Sequence, residues 1–413
     1  MLKSIHVIAL VLLMASCVAA GPGGLPGPTI PDGLGVAIHF YGDDDAQVKQ
    51  IADGGFKFVR MDIFWFMVEK QKGVYDFSEY DGLLKALDRH GMRAMLIVAY
   101  GNRLYSGSEN DKIAPADDSY RKAYAAFAGA AAAHFKGRGV LWEIWNEPNA
   151  EGFWQPKPRV EDYVAMAKAA SVAIRAADPD ATILGPTTFG IDFEFLQKTF
   201  KLGLLDAVDV VSLHPYGHWV PDVVIPTYDA LRKVISDLGR NTPIVSSEWG
   251  YSTVAMTEEM QAQWMTRMFL TDTLCGVPLS IWYDWHDDGT DPKDWQHHFG
   301  VVRYDFTPKP AYVAMQTLTK QLGGYRFVRR MKTARPDEVV LVLTDGRAFR
   351  LAAWTSAEPH EVSIPLKVPA VVLTDMLGKR GKRTVEGGAL KFEVNGSPSY
   401  IDSPYDRQAL DLR

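Results

Sequence analysis

The chain has 413 residues, 47% of them hydrophobic and 23% charged, a globular composition that excludes a disordered chain and is long enough for one large domain and a smaller one. A net charge of -6 supplies no overall positive field for nucleic acid or an anionic membrane. A neutral or weakly charged partner fits better.

Residues 1–20 read as a secretory signal peptide. Lys3 precedes an apolar run from Ile5 to Ala15, and Val18-Ala19-Ala20 offers a small-residue cleavage site. The run is too short to span a membrane stably. Met14-Ala15-Ser16-Cys17 also resembles a bacterial lipoprotein box lacking its usual first Leu, so the expected location is secreted or periplasmic, with a lipid anchor at Cys17 as the alternative. With Cys17 in the leader, Cys275 has no partner for an intrachain disulfide and is expected to pack as a small hydrophobe. Residues 21–33 are rich in Gly and Pro and read as a spacer.

From there, short apolar runs alternate with segments of helical period, which predicts βα units and a parallel sheet. Strands are expected at Gly35–Phe40, Phe56–Asp62, Arg93–Tyr100, Val140–Asn146, Thr182–Pro186, Val208–His214, Pro243–Glu248 and Leu279–Asp284. Helices are expected at Tyr80–His90, Ser119–Phe135, Val160–Ala177, Phe193–Leu202, Tyr228–Leu238, Thr257–Leu274 and Pro308–Leu322. Eight such units over roughly 290 residues predict an α/β fold of the (β/α)8 TIM barrel type across residues 34–322. An open doubly wound sheet is the alternative, but no glycine-rich phosphate loop follows the first strand.

Gly323-Gly324 marks a change of pattern. Short alternating segments follow at Val339–Thr344, Ala348–Trp354, Val362–Ile364, Val371–Thr374 and Leu390–Val394, with turn signals between them, and predict a C-terminal antiparallel β-sandwich over residues 325–403. Two basic runs, Arg326-Arg329-Arg330-Lys332-Arg335 and Lys379-Arg380-Lys382-Arg383, read as solvated faces or turns.

Functional side chains of a barrel enzyme sit where strands end, at the C-terminal face. His39 ends the first predicted strand, Arg60 and Asp62 the second, Asn146-Glu147 the fourth, His214-Pro215-Tyr216 the sixth, Ser247-Glu248 the seventh and Trp282-Tyr283-Asp284-Trp285 the eighth. A carboxylate after an apolar strand costs solvation energy that a structural role seldom offsets, and Glu147 and Glu248 both stand there. Strands four and seven face each other across the mouth. Two carboxyl groups about 5–5.5 Å apart would let Glu248 attack an anomeric carbon while Glu147 serves as acid and then base. A negative Glu248 would help keep Glu147 protonated. Strict alternation would put Asn146 and Glu147 on opposite faces, and Pro148 is expected to end the pairing so that both turn inward. Asn146 would then bond the sugar 2-hydroxyl, Tyr216 would aim Glu248, and Arg60 would lower its pKa.

Three motifs, Trp145-Asn146-Glu147-Pro148-Asn149, His214-Pro215-Tyr216 and Ser247-Glu248-Trp249-Gly250, resemble those of the clan of (β/α)8 retaining glycosidases with an Asn-Glu-Pro acid/base on strand four and a nucleophilic Glu on strand seven. Together they are most similar to glycoside hydrolase family 39, with families 5 and 51 as neighbours. The resemblance covers Gly35 to Leu322 and implies β-xylosidase or biofilm-exopolysaccharide glycosidase chemistry, usually with an appended β-sandwich. The short spacer leaves little chain for an N-terminal contribution to that sandwich, which favours the exopolysaccharide type.

Other residues carry plainer expectations. Glu143, inside strand four, is expected in a buried ion pair. Trp65, Trp154, Trp219, Trp249, Trp282, Trp285 and Trp295 fall near strand ends as candidate sugar platforms, with Trp282 and Trp285 assigned to substrate. The Asp- and His-rich stretch from Asp284 to His298 lacks metal-ligand spacing and reads as a solvated loop beside the substrate. The expected function is retaining hydrolysis of β-glycosidic bonds in an extracellular polysaccharide or oligosaccharide, without cofactor or metal. The competing classes are a carbohydrate-binding barrel that has lost catalysis and a metal-dependent hydrolase, which sensitivity to a chelator would reveal.

Overall fold

In the computed structural model, which describes residues 24–217 and 220–403, the βα alternation closes into a barrel. The predicted leader with Cys17, and Trp219, lie outside those residues. Parallel strands β1 (Leu34–Ala37), β2 (Phe58–Phe64), β3 (Arg93–Ala99), β4 (Leu141–Ile144), β5 (Thr182–Leu184), β6 (Thr188–Phe189), β7 (Val211–His214), β8 (Ile244–Trp249) and β9 (Ser280–Trp282) run in the order β5-β4-β3-β2-β1-β9-β8-β7-β6. β5 and β6 are two pieces of one barrel position, split where Pro186 brings no amide to the ladder. Closure runs across the split: Leu184 bridges Val210, and the amide of Thr187 donates to the Ser212 carbonyl at 2.9 Å.

Around the strands lie α1 (Asp45–Asp53), α2 (Trp65–Val68), α3 (Ser78–Arg89), α4 (Arg103–Ser106), α5 (Asp118–His134), α6 (Val160–Ala177), α7 (Phe193–Lys201), α8 (Ile225–Asp237), α9 (Glu258–Leu274) and α10 (Pro310–Leu322). Side-chain caps start several of them: Asp117 accepts from the Tyr120 amide, Asp192 from Phe195 and Thr257 from Met260. The sequence pattern did not announce α1, which buries only Val48 and Ile51. Cys275 follows α9, partly buried, and burial with the nearby Asp272 charge pushes its thiol up to about 12.

Inside the barrel, the lower layer is apolar and includes Phe58, Met95, Leu141, Val245 and Ile281. Leu25, 2% exposed, belongs to the same cluster. The stretch read as a spacer is therefore part of the fold over its described residues. Thr29 bridges Arg326, and the amide of Ile30 donates to the Tyr325 carbonyl at 2.9 Å. Short barrel strands leave an apolar end that needs cover, and this segment supplies it while pairing with the following domain.

That domain holds β10 (Arg326–Arg330), β11 (Glu338–Thr344), β12 (Phe349–Thr355), β13 (His360–Pro365), β14 (Ala370–Thr374), β15 (Arg380–Thr384), β16 (Ala389–Val394) and β17 (Ser399–Ser403). Six strands pair in the order β10-β11-β12-β17-β14-β15, and β13 pairs with β16 to cover one face. The other face packs on the barrel through Leu341, Leu343, Trp354 and Tyr400. β11 is consequently buried along its whole length, which explains a continuous apolar run where alternation was expected. Arg326, Arg329 and Arg330 of one basic run lie on β10, and Arg380, Lys382 and Arg383 of the other on β15, and these strands are the two edges of the larger sheet. Lysine and arginine on an edge discourage pairing with another chain. Trp354 Nε1 ties the domain to the barrel by donating to Asp222 Oδ1 at 2.6 Å, and Asp222 also receives Arg267.

Leu25→Ala is expected to cost about 2–4 kcal/mol, as buried leucine truncations do. A urea-unfolding midpoint measured against wild type checks this; an unchanged midpoint would return the segment to a mere spacer.

Candidate active site

Above the apolar layer, the barrel mouth opens into a cavity of about 430 Å³. Its walls include His39, Arg60, Asp62, Tyr100, Asn146, Glu147, Phe153, Phe189, Tyr216, Glu248, Tyr283 and Trp295. The centre of the arrangement is Arg60 on β2, 3% exposed. Its Nε donates to Glu143 Oε2 at 2.7 Å and its Nη1 to Glu248 Oε2 at 2.6 Å. Nη2 serves Asn146 Oδ1 at 2.8 Å and His214 Nε2 at 3.1 Å. Burial works to lower the guanidinium pKa, but the charges of Glu143, Glu248 and Asp62 outweigh it and raise it. Glu143 is thus the buried structural partner that its place inside β4 suggested.

Along β4, Leu141 and Glu143 face inward while Trp142 and Ile144 pack outward. Continued alternation would bring Trp145 into the mouth. Instead Trp145 (φ 67°) and Glu147 (φ 48°) both adopt left-handed backbone. Trp145 swings outward against Tyr100, Tyr124 and Trp154, its Nε1 donating to the Phe153 carbonyl at 2.9 Å. Asn146 and Glu147 both turn inward. Two left-handed residues after a strand that ends at Ile144 therefore make the turn that the sequence reading assigned to Pro148. The amide of Glu147 donates to the Thr187 carbonyl at 3.0 Å, in the gap between β5 and β6.

Glu147 is 5% exposed. Burial, followed by the charge of Glu248, pushes its carboxyl up to about 8, against the lowering effect of Arg60. His214 Nδ1 lies 2.8 Å from Glu147 Oε1. Because Arg60 can only donate, His214 Nε2 must accept, and Nδ1 carries the proton. Burial and the Arg60 charge keep the ring pKa well below its usual value, so the imidazole is neutral. Its N–H occupies Oε1 of Glu147, which leaves the carboxyl proton to Oε2.

Glu248 is the penultimate residue of β8, held at one oxygen by Arg60 and at the other by Tyr216, whose hydroxyl donates at 2.9 Å. The next glycine has a packing reason. A Cβ on Gly250 would stand 1.8 Å from the Tyr283 carbonyl oxygen, so only glycine lets the Tyr283 backbone lie against the end of β8.

The structure thus gathers Arg60, Asn146, Glu147, Tyr216, Glu248 and His39 around one cavity. His214, expected against substrate, is wholly buried and is not part of the wall; it orients Glu147 instead. The platform assignment of Trp282 and Trp285 is corrected. They are 0% and 1% exposed, and Trp282 Nε1 donates inward to the Phe299 carbonyl. Their faces are taken up by core packing. Trp65, Trp154 and Trp249 are likewise core residues, whereas Trp295 lines the cavity and is 43% exposed. The Asp284–His298 stretch is less solvated than expected, since Asp284 is buried and Asp287 is held by Lys309 at 2.7 Å. His39 Nδ1 lies 3.1 Å from Asp288 and 3.5 Å from Asp284. Burial pulls its pKa down, but the Asp288 bond and the charges of Asp284, Asp288 and Asp62 together raise it to about 9.

Phe153 and Phe189 were missed as wall residues, because single aromatics in loops and very short strands carry no periodic signal, while Tyr100 and Tyr283 stood at predicted strand ends without an assigned contact. Asp62 was visible at a strand end but was given no role.

Barrel, opposed carboxyl groups and aromatic walls are the features that the glycoside-hydrolase class combines. The model of the cellulase family (glycosyl hydrolase family 5) matches residues 27–289, and the chain belongs to that family. It is similar to a β-xylosidase of Caldicellulosiruptor saccharolyticus, 23% identical over 50% of this chain and 48% of that protein. A second, from Geobacillus stearothermophilus, is 24% identical over 57% of this chain and 52% of that protein. The chain thus spans about half the length of the curated relatives it matches. Among solved structures, a family 39 glycoside hydrolase from Bacteroides cellulosilyticus WH2 superposes with a TM-score of 0.78 at 25% identity, covering 89% of this chain and 80% of that one. A family 39 β-xylosidase from Caulobacter crescentus gives 0.68 at 19% identity over 91% and 97%, a likeness of fold.

Arg60→Met is expected to destabilise by about 3–5 kcal/mol, because Glu143 is left as an uncompensated buried charge. The double variant Arg60→Met/Glu143→Leu should regain part of that loss in thermal melting. A single variant that melts like wild type would remove Arg60 from the centre of the site.

Proposed function

We propose that the protein is an exported retaining glycosidase that cleaves β-glycosidic bonds of a polysaccharide or oligosaccharide. One observation carries the reading: the nearest carboxyl oxygens of Glu147 and Glu248 lie within 4.8 Å of each other. Retaining enzymes hold their carboxyl groups closer together, about 5–5.5 Å apart, than inverting ones, which need about 6.5–9.5 Å to admit a water, and an oxygen-to-oxygen approach this short favours the closer arrangement. Glu248 attacks the anomeric carbon while Glu147 passes its Oε2 proton to the departing oxygen. Water then enters, Glu147 takes its proton, and the glycosyl–Glu248 ester breaks. His214 keeps Glu147 aimed through both halves, and Asn146, held by Arg60, faces the same cavity. The β-xylosidase names of the curated relatives support the β linkage. Phe189 and Trp295, 50% and 43% exposed at the cavity, offer faces on which sugar rings stack. The leader-like sequence of residues 1–20 supports export to where such polymers lie.

Reducing ends released from plant β-glycans and bacterial exopolysaccharides test the assignment. Wild type should release them, and Glu248→Gln should lower kcat by at least about 10³-fold, consistent with loss of a nucleophile. Equal release by both would sink the carboxylate roles. Proton NMR of the first product should show the anomer of the substrate; the opposite anomer would establish inversion.

The raised pKa of Glu147 also sets a pH limit. The acid must be protonated to act, so kcat/KM should fall as pH rises through about 8. Glu147→Gln should abolish that limb and spare aryl glycosides whose leaving group needs no proton. A limb that survives the substitution belongs to another group.

A further inference from the structure

Asp62 lies two residues beyond Arg60 on β2, on the same face of the strand and one step nearer the mouth. It lines the catalytic cavity. Glu147 and Glu248 each accept from named protein donors, but Asp62 Oδ1 is buried without a hydrogen-bond partner among the described residues. Burial raises this carboxyl to about 6, against the charges of Arg60, Lys112 and His39, so it remains largely ionised at neutral pH. Asp62 as a whole is only partly buried, and its other oxygen, Oδ2, likewise bonds no protein group among the described residues but is open to the cavity, so the carboxylate lacks a donor in the free protein. A ligand can bring one.

The charges around the cavity say which ligand. Among the described wall residues the cations are Arg60 and His39. Arg60 is committed through all three nitrogens to Glu143, Glu248, Asn146 and His214. His39 is held by Asp288 and Asp284. Lys112, whose charge reaches Asp62, lies over the Tyr100 ring and bonds Asp111. A sugar carrying a carboxylate would find no uncommitted cation on these walls, and it would meet Asp62 and Glu248.

We propose that Asp62 is a substrate-recognition residue that accepts a hydrogen bond from the sugar ring lying against Glu248, confining that ring to neutral or amino sugars and excluding uronates. This rests on the glycosidase reading of the site. The shared chemistry is a hydroxyl or ammonium donor, and the substrates of the test separate the two.

The experiment measures kcat/KM of wild type and Asp62→Asn on aryl β-xyloside, glucoside, galactoside, mannoside, glucosaminide, N-acetylglucosaminide and glucuronide, together with thermal melting. Wild type should turn over the glucuronide at least about 100-fold less well than its best substrate. Asp62→Asn should lose ~10–100-fold on that best substrate, the loss expected for one charged hydrogen bond, and should narrow the gap to the glucuronide. Its melting temperature should stay level or rise, since the substitution neutralises an unpartnered charge. Preference for the glucosaminide over its N-acetyl form identifies an ammonium donor, and preference for a neutral glycoside identifies a hydroxyl; both support the proposal. Unchanged kcat/KM ratios, a preferred glucuronide, or a uniform loss with a lower melting temperature overturn it. If wild type turns over none of these, calorimetric titration with the free sugars decides. Asp62-dependent binding of a neutral or amino sugar without turnover defeats the hydrolase reading and supports recognition, whereas binding indifferent to Asp62, or none, overturns recognition.

Discussion

A guanidinium taken out of water must be surrounded by acceptors, and acceptors that are carboxylates must in turn be held apart by something positive. Arg60 and its partners meet both conditions at once. Its planar fork reaches Glu143 below, Glu248 on the facing wall, and Asn146 with His214 on the side of the acid/base candidate. Lysine offers a point charge without that fixed fan of donors and cannot set four directions together. The geometry of both carboxyl groups thus depends on one side chain that needs touch no substrate, and the buried Glu143 is the counter-charge that allows a cation to remain there.

The same hub separates the electrostatics of the pair. Glu248 takes two donors, Arg60 and Tyr216, one at each oxygen. Glu147 takes a single neutral N–H from His214 and otherwise meets low polarity and a nearby negative charge, which together raise its pKa. Its neighbours thus raise the proton affinity of Glu147, as the proposed acid role requires.

Much of this was legible in the residues. The barrel followed from eight apolar runs spaced by helical segments, and Glu147, Glu248, Arg60 and Tyr216 followed from their places at strand ends. What escaped had identifiable causes. Trp282 reads as a platform because it ends a strand, yet pleating alone cannot tell which face of the last strand is already filled. His214 stands at a strand end too, but whether it meets the sugar or the carboxyl group depends on the side chain of Arg60, from a strand far away in sequence. Strands β10 and β15 were hidden by their arginines and lysines, which are features of edges rather than of loops. Leu25 and Ile30 sat among glycines and prolines, where composition suggested a linker while two buried apolar side chains decided the packing.

The left-handed backbone at Trp145 and Glu147 reaches beyond the enzyme's present working. Side chains other than glycine pay roughly 1–3 kcal/mol for such a conformation, and here the surrounding packing and the Thr187 bond enforce it. If Glu147 is the acid/base of the proposed reaction, folding and function pull in opposite directions at position 147, because glycine would relieve the backbone and only a carboxyl group would serve the chemistry. A descendant released from selection for hydrolysis has a downhill path at that site, and would shed Glu147 before Trp145, whose indole is locked into the core. The order in which such residues erode in a lineage would record when catalysis was abandoned, a history written in conformational strain.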